Sequence, residues 1–204
     1  MAKPVEIHAH NGTNDVALKA DASTSSMQTV DYPHHEIHSG NHYFVDYSVE
    51  SLGAMTSPDD MITLSWTTPD TTAWAHFTFE VTGTAGWRIR MIENSTTGGT
   101  TGATGRLTIL NSNRNSANTS GMISDGDSGV AGNVGYDASL AEGGTTLFDE
   151  YIPGGAGPFS SAAQTGSRDE IILKQNTNYQ VSVYGTDTNP ASVKLRWYEH
   201  TANA

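Results

Sequence analysis

The sequence predicts an all-β protein: a two-sheet antiparallel sandwich, jelly-roll-like, with an extended N-terminal arm and long loops rich in Gly, Ser, Thr and Asn. Three observations lead there. Period-2 alternation of apolar and polar residues recurs along the chain, as in Trp74-Ala75-His76-Phe77-Thr78-Phe79-Glu80-Val81. No segment carries a convincing amphipathic helical period. The 204 residues hold about eight such runs, which suits one large sandwich with a jelly roll as the leading topology.

In chain order, residues 1–30 read as a polar arm, with Val5-Glu6-Ile7-His8-Ala9-His10 alternating like a short strand that could add to another sheet edge. The remainder, 31–204, reads as a single sandwich domain. Strand signals begin at His34 and run through Ile37, Tyr43, Phe44, Val45 and Tyr47 to Ser48. Met61 to Trp66 alternates, and Pro69-Asp70 marks a turn. Trp74–Val81 and Trp87–Glu93, joined by Thr82-Gly83-Thr84-Ala85-Gly86, read as a hairpin. Residues 94–105 are low-complexity, Arg106–Leu110 is a short strand, and 111–146 is a long polar stretch. Leu147–Ile152 follows, ended by Pro153-Gly154-Gly155. The clearest segments close the chain: Glu170–Lys174, Tyr179–Tyr184 and Val193–Tyr198. Loops this long are functional when ordered, so 94–105 and 111–146 are the expected contact loops.

Composition narrows the function classes. Hydrophobic residues make up 36%, which a sandwich tolerates because one face of each sheet can be Thr, Ser and Asn. The net charge of −12, from 22 acidic and 10 basic residues, argues against nucleic acid or an anionic membrane as partner, since phosphate needs clustered Lys and Arg. With no cysteine, disulfides and thiolate metal sites are excluded. The start shows no apolar signal run, and no stretch reaches the roughly 20 apolar residues of a membrane helix, so synthesis in a cytosol is expected.

Four constellations bear on chemistry. His34, His35, His38 and His42, with His8 and His10 upstream, have spacings that can supply zinc ligands, and in a strand His38 and His42 would share a face. Zinc needs three or four converging donors, so the preferred reading is a polar surface that meets a partner, to which Val5 and Ile7 also belong. Asp125-Gly126-Asp127 resembles part of a calcium loop, but the position where an EF-hand loop needs Glu is Tyr136; the preferred reading is an Asp/Gly turn, without metal. Gly126-Asp127-Ser128-Gly129 spells a tetrapeptide of trypsin-like proteases, yet the chain lacks their histidine segment. Asp149-Glu150 reads as well as a turn as an acid pair. Trp66, Trp74, Trp87 and Trp197 are expected in the core. No catalytic residue and no cofactor is expected, and the chain reads as a non-enzyme that works by assembly.

Four segments carry a family resemblance: His34 to Phe44, Asn113-Arg114-Asn115-Ser116, Arg168 to Tyr179 and Leu195-Arg196-Trp197-Tyr198-Glu199-His200. Together they resemble a group of virion structural proteins of tailed bacteriophages, in which the Glu170–Tyr179 strand pair and the terminal Trp197-Tyr198-Glu199-His200 recur. The resemblance covers most of the chain after residue 30. It implies a particle component outside the head: a decoration (cement) protein on the capsid surface, bound to the major capsid protein and to itself as a homotrimer. A tail or head-fibre component with a receptor- or glycan-binding role is the alternative. No catalytic residues carry over.

Overall fold

The computed structural model describes residues 8–10, 15–17, 32–52, 62–83, 86–94, 105–124, 132–136, 143–153, 161–164, 170–185 and 189–201. The chain divides into Met1–His35 and Glu36–Ala204. In the first unit, β1 (His8–His10) and β2 (Asp15–Ala17) pair antiparallel, His8 opposite Ala17. Val5 and Ile7 lie outside the described residues.

Residues expected as the start of a strand form helix α1 (Tyr32–Ser39). Pro33 sits in its first turn, where a missing N–H costs nothing, and Gly40 ends it at φ +75°. Gly40 N–H donates to Ile37 O at 3.1 Å and Asn41 N–H to Glu36 O at 2.9 Å, the two bonds of a Schellman cap. A side chain at Gly40 would collide with Ser116, so this position requires glycine on two counts. Because His38 is helical and His42 lies beyond the cap, the two do not share a strand face as expected.

The second unit is a two-sheet sandwich. Eight strands build its frame: β3 (His42–Leu52), β4 (Ile62–Thr67), β5 (Ala73–Gly83), β6 (Trp87–Glu93), β11 (Thr145–Ile152), β12 (Ser161–Gln164), β14 (Asn178–Gly185) and β15 (Asn189–Thr201). One sheet runs β3-β15-β5-β12 and the other β4-β14-β6-β11, all antiparallel. That order, in which every successive frame strand except β11 after β6 passes to the other sheet, is the jelly roll the sequence predicts. Short β13 (Ile171–Leu173) adds to β5 beyond β12.

The expected hairpin of Trp74–Val81 with Trp87–Glu93 does not form. Strand β5 pairs with β15 on one edge and β12 and β13 on the other, and β6 pairs with β14 and β11. The two lie in different sheets because both present large apolar faces that bury more surface across the core than side by side. Gly83 makes the crossing close: a Cβ there would stand 3.0 Å from the Trp87 ring.

Between β6 and β11 the polar stretch is an insertion with its own strands. It contributes β9 (Ile123–Ser124) and β10 (Asn133–Tyr136) beside β4, β7 (Gly105–Thr108) beyond β10, and β8 (Leu110–Asn111) beside β3. It therefore extends the same edge of both sheets. Asn and Ser side chains replace regular pairing here: Asn111 Oδ1 accepts from Asn113 N–H, Asn113 Oδ1 from Asn115 N–H and Ser116 Oγ from Asn118 N–H. The Asn111 amide donates to Gly40 O at 2.8 Å and Asn118 O at 3.0 Å, tying the insertion to the end of α1. Tyr136 lies over Gly105, where any Cβ would clash with its ring.

The core joins both sheets. Trp66 of β4 stacks on Phe77 of β5 at 5.1 Å and on Tyr179 of β14 at 6.1 Å, and Phe79 meets Phe148 of β11 edge-on at 5.2 Å. Trp66, Trp87 and Trp197 are fully buried, as expected. Trp74 is the exception at 42% exposed: it shares parity with His76, Thr78 and Glu80, not with Phe77 and Phe79. A second departure concerns the outer face of β4 and β14, where Thr63, Ser65, Gln180 and Ser182 are buried too. Their side chains sit on strands flanked on both edges, and Ser182 donates to Gln180 at 3.1 Å.

Two carboxylates hold the sandwich ends. Glu199 accepts from Trp197 Nε1–H at 2.9 Å, Ser120 Oγ–H at 2.5 Å and Gly121 N–H at 3.0 Å, anchoring the insertion to β15. Buried Glu93 takes Lys174 Nζ at 2.6 Å and the Tyr179 hydroxyl at 2.9 Å. Burial and that bond to Glu93 push the Tyr179 phenol far above its ordinary range.

Replacing Trp66 with Ala should cost about 3–5 kcal/mol of stability, and Trp74→Ala no more than about 0.5 kcal/mol. Urea denaturation of the two variants measures the contrast; equal losses would refute this assignment of inner and outer faces.

Candidate functional site: the outer face of the six-stranded sheet

Because Tyr43, Phe77 and Trp197 point inward, their neighbours on β3, β5 and β15 point out. The register sets His42 opposite Tyr198, Tyr198 opposite His76 and His76 opposite Ile172, a row across four strands. Trp74 lies opposite His200 in the next row. Ile172 is 49% exposed and Leu110, opposite Phe44, is exposed too, so with Trp74 the face carries three exposed large apolar side chains among polar ones.

At its centre is a polar cluster. His76 Nδ1 lies 2.9 Å from Glu170 Oε1. The Tyr198 hydroxyl donates to Glu170, 3.0 Å from each carboxylate oxygen, and stands 3.1 Å from His76 Nδ1. His200 Nε2 is 2.8 Å from His76 Nε2, and His200 Nδ1 is 3.0 Å from Thr201 O. His76 and Tyr198 stack with ring centroids 4.6 Å apart, and the His200 ring meets His76 at 4.5 Å, tilted by 33°.

Shallow grooves flank the cluster. One of about 400 Å³ is lined by Trp74, Ile172, Leu173, Lys174 and Gln175. Another of about 450 Å³ is lined by Ile37, His42, Phe44, Ser112, Arg196 and their neighbours. His42 Nδ1 lies 2.7 Å from Ser112 Oγ. Burial, and secondarily the charge of Arg196, lower the His42 pKa below that of an ordinary histidine. Beneath this row, burial and then the charge of Glu199 push the Tyr43 phenol up to about 12.

Of the histidines singled out in the sequence, His42 lies in this face. His34, His35 and His38 are exposed on α1, and His8 and His10 lie in β1. Among the described residues, no group of three or more His, Asp or Glu side chains is placed to hold a metal ion. Asp125, Asp127 and Ser128 lie outside the described residues. Asp149 is engaged by Arg88, whose Nε and a terminal nitrogen each sit 2.5 Å from a carboxylate oxygen. That pairing holds Asp149 below the usual carboxylate range. The residues that sequence reasoning missed are Trp74, His76, Glu170, Tyr198 and His200. Strand parity marks Trp74 and His76 as one face and Tyr198 and His200 as another, but only the β5–β15 register makes those faces one.

No family model matches the chain, and no curated protein or solved structure matches it. Among the described residues no helix is long and apolar enough to cross a membrane.

The lowered His42 pKa sets a sign for pH dependence. Folding disfavours protonated His42, so its contribution is retained above the unfolded pKa, near 6.5, and lost as pH falls through that value toward the lower folded one. The urea midpoint should drop between pH 8 and pH 5 by less in His42→Asn than in the parent; an unchanged drop would assign the effect to other groups.

Proposed function

We propose that this chain is a structural component of a tailed-phage particle: a decoration (cement) protein that binds and stabilises the capsid shell. In this reading it is made in the host cytoplasm and resides on the capsid surface. The structural observation that supports the reading is the outer face of the six-stranded sheet, where exposed Trp74 and Ile172 stand beside a groove and a compact polar cluster. A face of that kind fits a macromolecular partner better than solvent. The resemblance of the Glu170–Tyr179 and Trp197–His200 segments to phage virion proteins supplies the kind of partner, and both segments contribute residues to this face. The partners proposed are the major capsid protein and further copies of this chain, as a homotrimer. A net charge of −12 makes free copies repel one another, so apolar and hydrogen-bonded contacts must supply the attraction. Repetition over a shell then multiplies weak contacts by avidity.

One observation favours a second reading, a tail or head-fibre component that binds a cell-surface glycan. Trp74 stands beside Lys174 and Gln175 in the 400 Å³ groove, an aromatic plane next to hydrogen-bonding groups of the kind that hold a sugar ring.

Purified protein added to shells that lack it should bind and raise their melting temperature, and a double Trp74→Ala, Ile172→Ser variant should bind about tenfold or more weakly. Shells that never bind it and melt unchanged would defeat the decoration reading. Binding to host-cell glycans, lost in Trp74→Ala, would establish the second.

A further inference from the structure

One edge of the sandwich presents a cation among apolar side chains, in a chain whose net charge is −12. There β3 and β8 end the six-stranded sheet, and the register sets Leu110, Phe44 and Arg196 in one row across β8, β3 and β15. Leu110 and Arg196 are exposed, and Phe44 is half-buried between them. Ile37 and Ser112 also line the groove of about 450 Å³ at this row. Lys194, the next cation along β15, is paired with Asp46 at 3.7 Å, so Arg196 is the cation the groove presents. After burial, the charge of Arg196 is what lowers the His42 pKa, so its field reaches that wall of the groove.

The far edge carries the complement. Strand β11 ends the other sheet there, next to β12. Its Tyr151 is 54% exposed, more than Trp74, Ile172 or Leu110, and lies opposite outward-facing Arg88. Glu150, the preceding residue, is exposed as well. Asp149 is tied to Arg88, so Glu150 is the acid this edge presents. An aromatic beside an acid at one edge matches an apolar groove beside a cation at the other, in both character and sign.

We propose that copies of this chain associate head to tail, with the Glu150–Tyr151 edge of one copy seated in the Arg196 groove of the next. The Arg196 guanidinium donates to the Glu150 carboxylate, and the Tyr151 ring packs on Phe44, Ile37 and Leu110. The two patches are different surfaces of one molecule, so each copy gives one and receives one, and the contact repeats from copy to copy. A pair of opposite sign at the contact offsets the mutual repulsion of acidic copies. The inference rests on the proposal that copies of this chain bind one another, and adds the surfaces they use. It leaves Trp74 and Ile172, on β5 and β13, to the shell.

The test is sedimentation of the full-length protein over a concentration series up to about 1 mM, in about 0.15 M salt. The parent should self-associate, and Arg196→Glu and Glu150→Arg should each weaken association about tenfold or more, because each sets like charges face to face. Combining the two reversals in one chain should restore association to within about threefold of the parent. Tyr151→Ala should weaken it too. All three positions are exposed, and urea midpoints verify that the variants fold. A parent that stays monomeric across the series, or a combined variant no stronger than the single ones, overturns the proposal. Shell binding is measured separately. A parent that associates through this pair yet never binds shells upholds the contact and defeats the decoration reading, and a monomer that binds shells does the reverse.

Discussion

The structure depends on the contact of Trp66 with Phe77 across the two sheets. A sandwich of this size closes only if bulky side chains from facing strands meet in its middle layer. Trp66, set between Phe77 and Tyr179, is where one strand from each sheet and a third strand lock together. Once Phe77 faces inward, the parity of β5 admits no freedom: Trp74, His76, Thr78 and Glu80 must face out. Trp197 imposes the same condition on Tyr198 and His200 of β15. The outer cluster is thus a consequence of the core, displaced by one residue along each strand.

Polar groups finish what the aromatics begin. The apolar content is modest, and hydrogen bonds to buried Glu93 and half-buried Glu199 close the sandwich ends. Glu199 satisfies the Trp197 indole and two groups of the insertion at once, so the same carboxylate that pairs a core side chain also seats a loop. Glu93 does this for the turn before β14 through Lys174 and Tyr179. Such networks set a unique arrangement because a buried group left unpaired costs about 1–3 kcal/mol. The insertion follows the same logic: Asn and Ser bonds, with Met122 and Val134 sunk into the core, order this polar segment against both sheets.

Legibility in the sequence varied by element for physical reasons. Strands β4, β5, β6, β14 and β15 were readable because their alternation is strong and their inward residues are large. Helix α1 was not, because eight residues bearing three histidines carry little apolar period; the signals that mark it are local, Pro33 near its start and Gly40 at its cap. The supposed hairpin of β5 and β6 failed because a short loop with glycine serves equally to reverse a chain within a sheet and to pass it to the facing sheet. Trp74 was misplaced because residue type outvoted parity. For the candidate site, the clustered histidines drew attention to the N-terminal region, whereas the two isolated ones, 124 positions apart, are the pair that meets.

By itself, then, the amino-acid sequence determined the all-β class, the two-layer architecture, the inward set of aromatics apart from Trp74, and the acidic, cysteine-free surface chemistry, since these follow from local periodicity and composition. Tertiary structure alone decided which strands are neighbours, that α1 precedes the first frame strand, and that His76, His200, Tyr198 and Glu170 share one spot. The reason is that register and sheet assignment are set by how whole faces bury one another across the core, and no local pattern encodes which distant face will be the partner.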